Sequence, residues 1–196
     1  MMKLCIKIFV SFCFLISNSA VYAQEDISFQ VEEAREITQK FQKTLKRELQ
    51  SAIQAGGLKK AVDVCHIRAP EIAGQMSAET GWRIGRTSLK TRNENNAPTM
   101  QESDILEQFE NRKVSGEALD EMEWWVQKDG LMMYMRAIPM KGICTSCHGP
   151  KVNPSLKNHI QQLYPNDTAT GFNPGDVRGA FTLQKYLEAF DGQAIK

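Results

Sequence analysis

Apolar positions recur at three- and four-residue steps from Val31 through Ala34, Ile37, Phe41, Leu45 and Leu49 to Ile53, with charged residues between them. That is the period of one helix face, and it predicts a long amphipathic helix over residues 28–54. Gly56-Gly57 should stop it. Leu58, Ala61, Val62 and Cys65 then form a shorter stripe, which puts Cys65 on an apolar helix face. Pro70 should interrupt this second helix, because its ring has no N–H to give and crowds the preceding turn. Residues 70–76 should begin another turn or two.

The period then shortens to two. Trp82, Ile84 and Arg86 alternate with Arg83 and Gly85, which predicts a short strand. Residues 88–98 are polar and close on a proline, as an ordered loop does. Ile105, Leu106 and Phe109 mark a helix over 101–112, and Gly116 a turn. Two runs rich in aromatic and apolar residues, 123–127 and 131–139, flank Lys128-Asp129-Gly130. The Asp-Gly pair predicts a hairpin, since tight hairpin turns need the left-handed backbone that these residues tolerate. A helix over 155–163, a polar loop over 164–174 and a strand over 179–183 complete the order. It implies an α+β domain, a small antiparallel sheet with helices packed to one side. Trp82, Trp124, Trp125 and Tyr134 are candidates both for pocket walls and for core.

The N-terminus adds an address. Lys3 precedes the apolar run Ile8–Ile16, and Val21-Tyr22-Ala23 has the form of a cleavage site, so residues 1–23 read as a secretory signal peptide. The run is short for a bilayer span. Phe12 stands before Cys13 where lipoprotein processing wants a small residue, which argues against a lipid anchor. Residues 24–196 are then one domain with its own core, expected in the periplasm or secreted, with no membrane span after cleavage. The 24 basic and 23 acidic residues nearly balance, which gives no case for nucleic acid or an anionic membrane surface.

Cys144-Thr145-Ser146-Cys147-His148 carries the chemistry. Two thiols two residues apart, followed at once by an imidazole, form the attachment pattern of c-type haem. One turn of chain brings both sulfurs to the vinyl edges of a porphyrin, and the next side chain falls beneath the iron. The rivals are a redox-active dithiol and a zinc site completed by His159. A thioredoxin-type dithiol comes early, after a first strand, and adjacent Cys147 and His148 would strain a zinc tetrahedron, so one covalent haem c is the preferred reading. His148 would be the proximal iron ligand. For the opposite position the residues leave Cys65, His66, His159 and Met132, Met133, Met135 or Met140 open. Outside the leader Cys65 is the odd thiol, which needs a use in an oxidising compartment. Arg86, Lys90 and Arg92, with Arg83 nearby, either pair with the haem propionates or form a solvated basic face.

Four separated segments carry a resemblance: 61–73 around Cys65, 86–98 beginning Arg-Thr-Ser-Leu, 144–149, and 163–180 from Leu-Tyr-Pro-Asn-Asp to Asp-Val-Arg-Gly-Ala. In this order they resemble a bacterial family of secreted c-type haem proteins with a PAS-like fold, whose related domains serve as extracytoplasmic sensor modules. The resemblance implies a Cys65 thiolate and the His148 imidazole as the two axial ligands, with a low-spin haem of strongly negative potential. It also implies a sensor of redox state or of a diatomic gas, CO or NO at the iron, that reports to a separate signalling protein. The alternative is a soluble low-potential electron-transfer cytochrome with its own redox partner. No acid–base pattern calls for an enzyme.

Overall fold

The computed structural model describes residues 17–187. The expected signal peptide lies outside them as far as residue 16. Helix α1 runs Ser17–Asp63 and breaks at Gly56 and Gly57, where Gly57 takes φ 73°. Only glycine enters that left-handed region at no steric cost, so the predicted stop is a kink that redirects the helix. The chain leaves α1 through a wide π-helical turn, Val64–Arg68, and enters α2, Ala69–Thr80. Pro70 does not interrupt a helix as expected. It sits in the first turn of α2, where its missing N–H would have no partner anyway, and α2 runs 12 residues rather than a turn or two.

Strand β1 is Arg83–Thr87, helix α3 is Met100–Val114, and the hairpin strands are β2, Glu123–Lys128, and β3, Leu131–Pro139. Thr99 and Glu102 close a capping box on α3, so two of its first N–H groups are met by side chains. Asp129 and Gly130 both adopt positive φ in the hairpin turn. One short turn of helix, α4 (Thr145–His148), carries Cys147 and His148, with Cys144 as its N-cap residue. It is followed by α5, Pro154–Leu163, and β4, Val177–Tyr186.

All strand pairs are antiparallel and the sheet order is β1-β4-β3-β2. The expected α+β architecture is the one found, with one correction. Helices cover both faces of the sheet, not one. Met132, Tyr134, Phe181, Leu183 and Ile84 pack against Val31, Ile37 and Phe41 of α1 and Ile72 and Met76 of α2. The alternate residues Met135, Ala137 and Ala180 pack against Ile105, Leu106 and Phe109 of α3. The reason is legible in β3. Its residues from Met132 to Met135 are all buried, the near-continuous apolar run of a strand covered on both faces.

Several polar groups inside this sandwich are paired, whereas Gln30 Oε1 and Thr38 Oγ1 are buried without a partner. Trp82 donates from Nε1 to Glu33 at 2.8 Å, and Lys185 reaches the same carboxylate oxygen at 3.0 Å. Glu123 accepts from Arg35 Nε at 3.0 Å and from the Tyr134 hydroxyl at 2.9 Å. The Arg35 bonds are the main reason the Glu123 carboxyl is held below the usual glutamate range.

Candidate haem site

The kink at Gly56-Gly57 and the wide turn after Asp63 bring the second stripe of α1 to the end of β1. A cleft opens there. Leu45, Leu49, Ile53, Leu58, Ala61 and Val62 form its apolar wall, and Cys65 lines it from the π-helical turn. Ile143, Cys144, Cys147 and His148 face this wall, Tyr164 and Ile138 border it, and Arg86, Arg92 and Arg178 also line it. Cys65, Cys144 and Cys147 are all free thiols.

The attachment segment is held from behind. His148 Nδ1 lies 2.8 Å from the carbonyl oxygen of Ala169. A carbonyl only accepts, so Nδ1 carries the proton and Nε2 keeps its lone pair. Burial, and then the nearby Arg178 and Arg92, push the His148 pKa well below its ordinary value. The imidazole is therefore neutral, the form that can give an electron pair to a metal. Burial likewise pushes up the Cys147 thiol, against the opposing pull of Arg92. Gly171 and Phe172 donate their N–H groups to the carbonyls of Gly149 and His148 at 3.1 and 3.0 Å, which zips loop 167–172 to the segment. Gly149 is required by space. A Cβ there would stand 2.5 Å from the Thr145 carbonyl oxygen, which accepts the Gly149 N–H at 2.9 Å.

Arg92 locks the same contact. Its Nη2 donates to the Cys147 carbonyl at 2.7 Å, to Asp167 Oδ2 at 3.1 Å and to the Ala169 carbonyl at 3.4 Å. The Arg92 and Asp167 side chains are only 8% and 7% exposed, so this is a buried ion pair inside a hydrogen-bond network.

Of the residues singled out from the sequence, Cys65, Arg86, Arg92, Cys144, Cys147 and His148 line one cleft. Others do not. Lys90, expected beside a propionate, is off the lining, with its ammonium 5.1 Å from the Phe172 ring centre. Arg83 borders a separate hollow along the free edge of β1. His66 is exposed and stands edge-on to Tyr164 at 5.1 Å. His159 is bonded to Asp63 at 2.9 Å, away from Cys144 and Cys147, and the described residues contain no group of three or more His, Cys, Asp or Glu able to hold a metal ion. The zinc arrangement is therefore not assembled. Met132 and Met135 are core, and Met140 packs with Ala169 and Phe172.

The aromatic candidates for pocket walls are corrected too. Trp82 and Tyr134 are fully buried in the core, Trp124 packs beside α3, and Trp125 is exposed. Their place in a doubly covered sheet takes them away from the cleft, and the wall is aliphatic instead, with Tyr164.

Arg178 was not singled out in the sequence. It sits at the start of β4, with Nη1 donating to Ser88 Oγ at 3.0 Å and to the Lys90 carbonyl at 3.4 Å. Its guanidinium lies 5.2 Å from the Phe172 ring centre. Its sequence signal was its place in the resembling segment Asp-Val-Arg-Gly-Ala, just ahead of the expected strand 179–183. Gly179 beside it has φ 154°, and a Cβ there would meet the Thr87 carbonyl oxygen at 2.3 Å. Gly179→Ala should therefore push β1 from β4 at the cleft and cost about 1–3 kcal/mol in backbone conformation alone. Urea unfolding that shows no loss would refute this.

The donor set fits a covalently attached haem. Two adjacent thiols, a neutral imidazole with a free nitrogen and a third thiol from a distant helix share one apolar cleft, and cations line it as well. Fold and cleft together define an α+β protein with a cleft lined by three thiols, an imidazole and three arginines.

The sequence model of the Tll0287-like family (Tll0287) matches residues 17–184, and the chain belongs to that family. It is similar to the crystal structure of the cyanobacterial heme-protein Tll0287, at 25% identity and a TM-score of 0.60, over 81% of this chain and 96% of that one. No curated protein matches it.

Proposed function

We propose that the chain is an exported monohaem c-type haem protein that senses redox state or a diatomic gas. The observation that carries this is the convergence of Cys65 on the cleft that holds Cys144, Cys147 and His148. The family's structural relative is described as a heme-protein, which supports the same cofactor here. A bound haem would supply one-electron chemistry and a site for CO or NO at iron.

The chain's own residues divide the work. Cys144 and Cys147 supply the sulfurs for the two thioether links. His148 presents Nε2, oriented by the Ala169 carbonyl behind it. Cys65 supplies a third sulfur from the π-helical turn, and the aliphatic stripe of α1 excludes water. No aspartate or glutamate lines the cleft among the described residues, which supports a role without acid–base turnover.

The position of Cys65 favours sensing. It lies in the π-helical turn between Asp63 and α2, below a glycine kink in α1. Such turns lack the regular ladder of an α-helix and are common at functional sites. A metal ligand carried on such a turn would couple its release to the start of α2, and a signalling partner would read that motion. One observation favours electron transfer instead. Ile143, beside Cys144, lines the cleft and is 56% exposed, an apolar contact point at the site's mouth for a redox partner.

Two measurements decide. The pigment should stay with the wild-type polypeptide in acid acetone, and Cys144→Ala/Cys147→Ala should release it or never acquire it. Pigment extracted from the wild type would end the covalent reading. Ferrous protein mixed with CO or NO should then shift its Soret band under the sensor reading, whereas an unaltered spectrum across pH would leave the electron carrier. Export predicts a purified chain that begins at Gln24.

A further inference from the structure

The cleft holds positive charge, and no carboxylate among the described residues lines it. Arg86, Arg92 and Arg178 all line it, and Asp167 is paired with Arg92. Among the described residues neither Arg86 nor Arg178 forms an ion pair. Arg86 lies 6.0 Å from the Phe41 ring centre. Arg178 has a serine hydroxyl, a backbone carbonyl and the Phe172 ring. These partners are neutral. Burial and the repulsion of Arg92 and Arg86 bring the Arg178 pKa down to about 10, still far enough up to keep it charged at neutral pH. A half-buried guanidinium without an anion is costly unless a ligand supplies one.

A haem brings two carboxylates, and the cleft has two arginines without one. We propose that Arg86 and Arg178 bind the two haem propionates, which points that edge of the porphyrin at the junction of β1 and β4. This rests on the haem reading above and goes beyond it by fixing which way the cofactor lies. Arg92 has a different task. Its Nη2 is committed to Asp167 and to the carbonyls of Cys147 and Ala169, so it holds the attachment segment. Its Nε is buried without a protein partner, which leaves one further donor for the same carboxylates. Lys90, with its ammonium over the Phe172 ring, takes no part.

Positive charge at the propionates favours the ferrous state, because reduction removes one positive charge from the haem. The test is a redox titration of covalently loaded wild type, Arg86→Gln, Arg178→Gln, their double variant and Arg178→Lys. Each glutamine variant should shift the midpoint to more negative potential, the double variant by about the sum, and the lysine variant should recover most of the shift. Resonance Raman of the propionate bending mode should move in the same variants, and it can be read on Arg178→Lys even if the glutamine variants fold poorly. Loaded Arg178→Gln with the wild-type midpoint and an unmoved propionate band would overturn the proposal. A wild type without covalent pigment is a different result, and it would remove the haem reading itself.

Discussion

Arg92→Gln should cost about 3–5 kcal/mol in unfolding free energy, the penalty for removing one partner of a buried ion pair. Asp167 would be left 7% exposed with its charge unmet, and the Cys147 carbonyl would lose its 2.7 Å donor. The Ala169 carbonyl also orients His148, so the damage should reach the metal ligand as well as the fold. The ferric spectrum of the surviving folded fraction should broaden or show mixed spin. Arg92→Gln/Asp167→Asn should be less destabilised than the single variant, because no lone charge stays buried. Chemical denaturation of the three proteins checks the ordering. A single-variant loss below about 1 kcal/mol, the range of surface pairs, would show that the pair is not buried in solution.

Cys65→Ala should have the largest spectroscopic effect. A thiolate donates strongly and carries negative charge, so it stabilises ferric over ferrous iron. Its removal should raise the midpoint by an amount on the order of hundreds of millivolts, within the roughly 0.8 V that axial ligands span. The ferric protein should pass from low spin to high spin or to a water-ligated form, and CO should bind the ferrous form faster. Titration beside the wild type reads the first effect and the visible spectrum reads the second. An identical ferric spectrum would take Cys65 off the iron, and His66, one residue along and edge-on to Tyr164, would be the next residue to replace.

Hydrophobic period located most of the secondary structure. The hairpin, α3 and α5 lie within about two residues of their expected ends, because each has either a strong apolar repeat or a turn with a specific backbone demand. A break at Gly56-Gly57 was legible for the same reason, although a stop was expected and the helix continues past it. The length of α2 was not, because a proline inside a chain and a proline in a first helical turn look alike until the preceding turn is known. The two-sided covering of the sheet is written in the unbroken apolar run of β3, whereas the order of elements alone implies one-sided packing.

The site divides along the same line. Cys144, Cys147 and His148 were legible because attachment chemistry demands a fixed spacing. Cys65 could be placed on an apolar helix face by period, and its assignment to the iron came only through resemblance. The places of Lys90 and of Arg178, which contacts loop 88–93, were not legible, because that loop has no period. Its path is set by contacts with loop 167–172, such as the Thr168 N–H to Thr91 carbonyl bond at 2.9 Å.

The amino-acid order by itself determined the local elements, the attachment motif and the near-neutral charge, since each depends on residues a few positions apart. Only the tertiary structure decided that Cys65 and His148 line the same cleft. It also decided that Arg92 is spent on Asp167 while Arg86 and Arg178 keep their charge unmatched. Those facts join residues tens of positions apart, and such meetings are set by how the kinked helix, the loops and the sheet pack together, which no local repeat encodes.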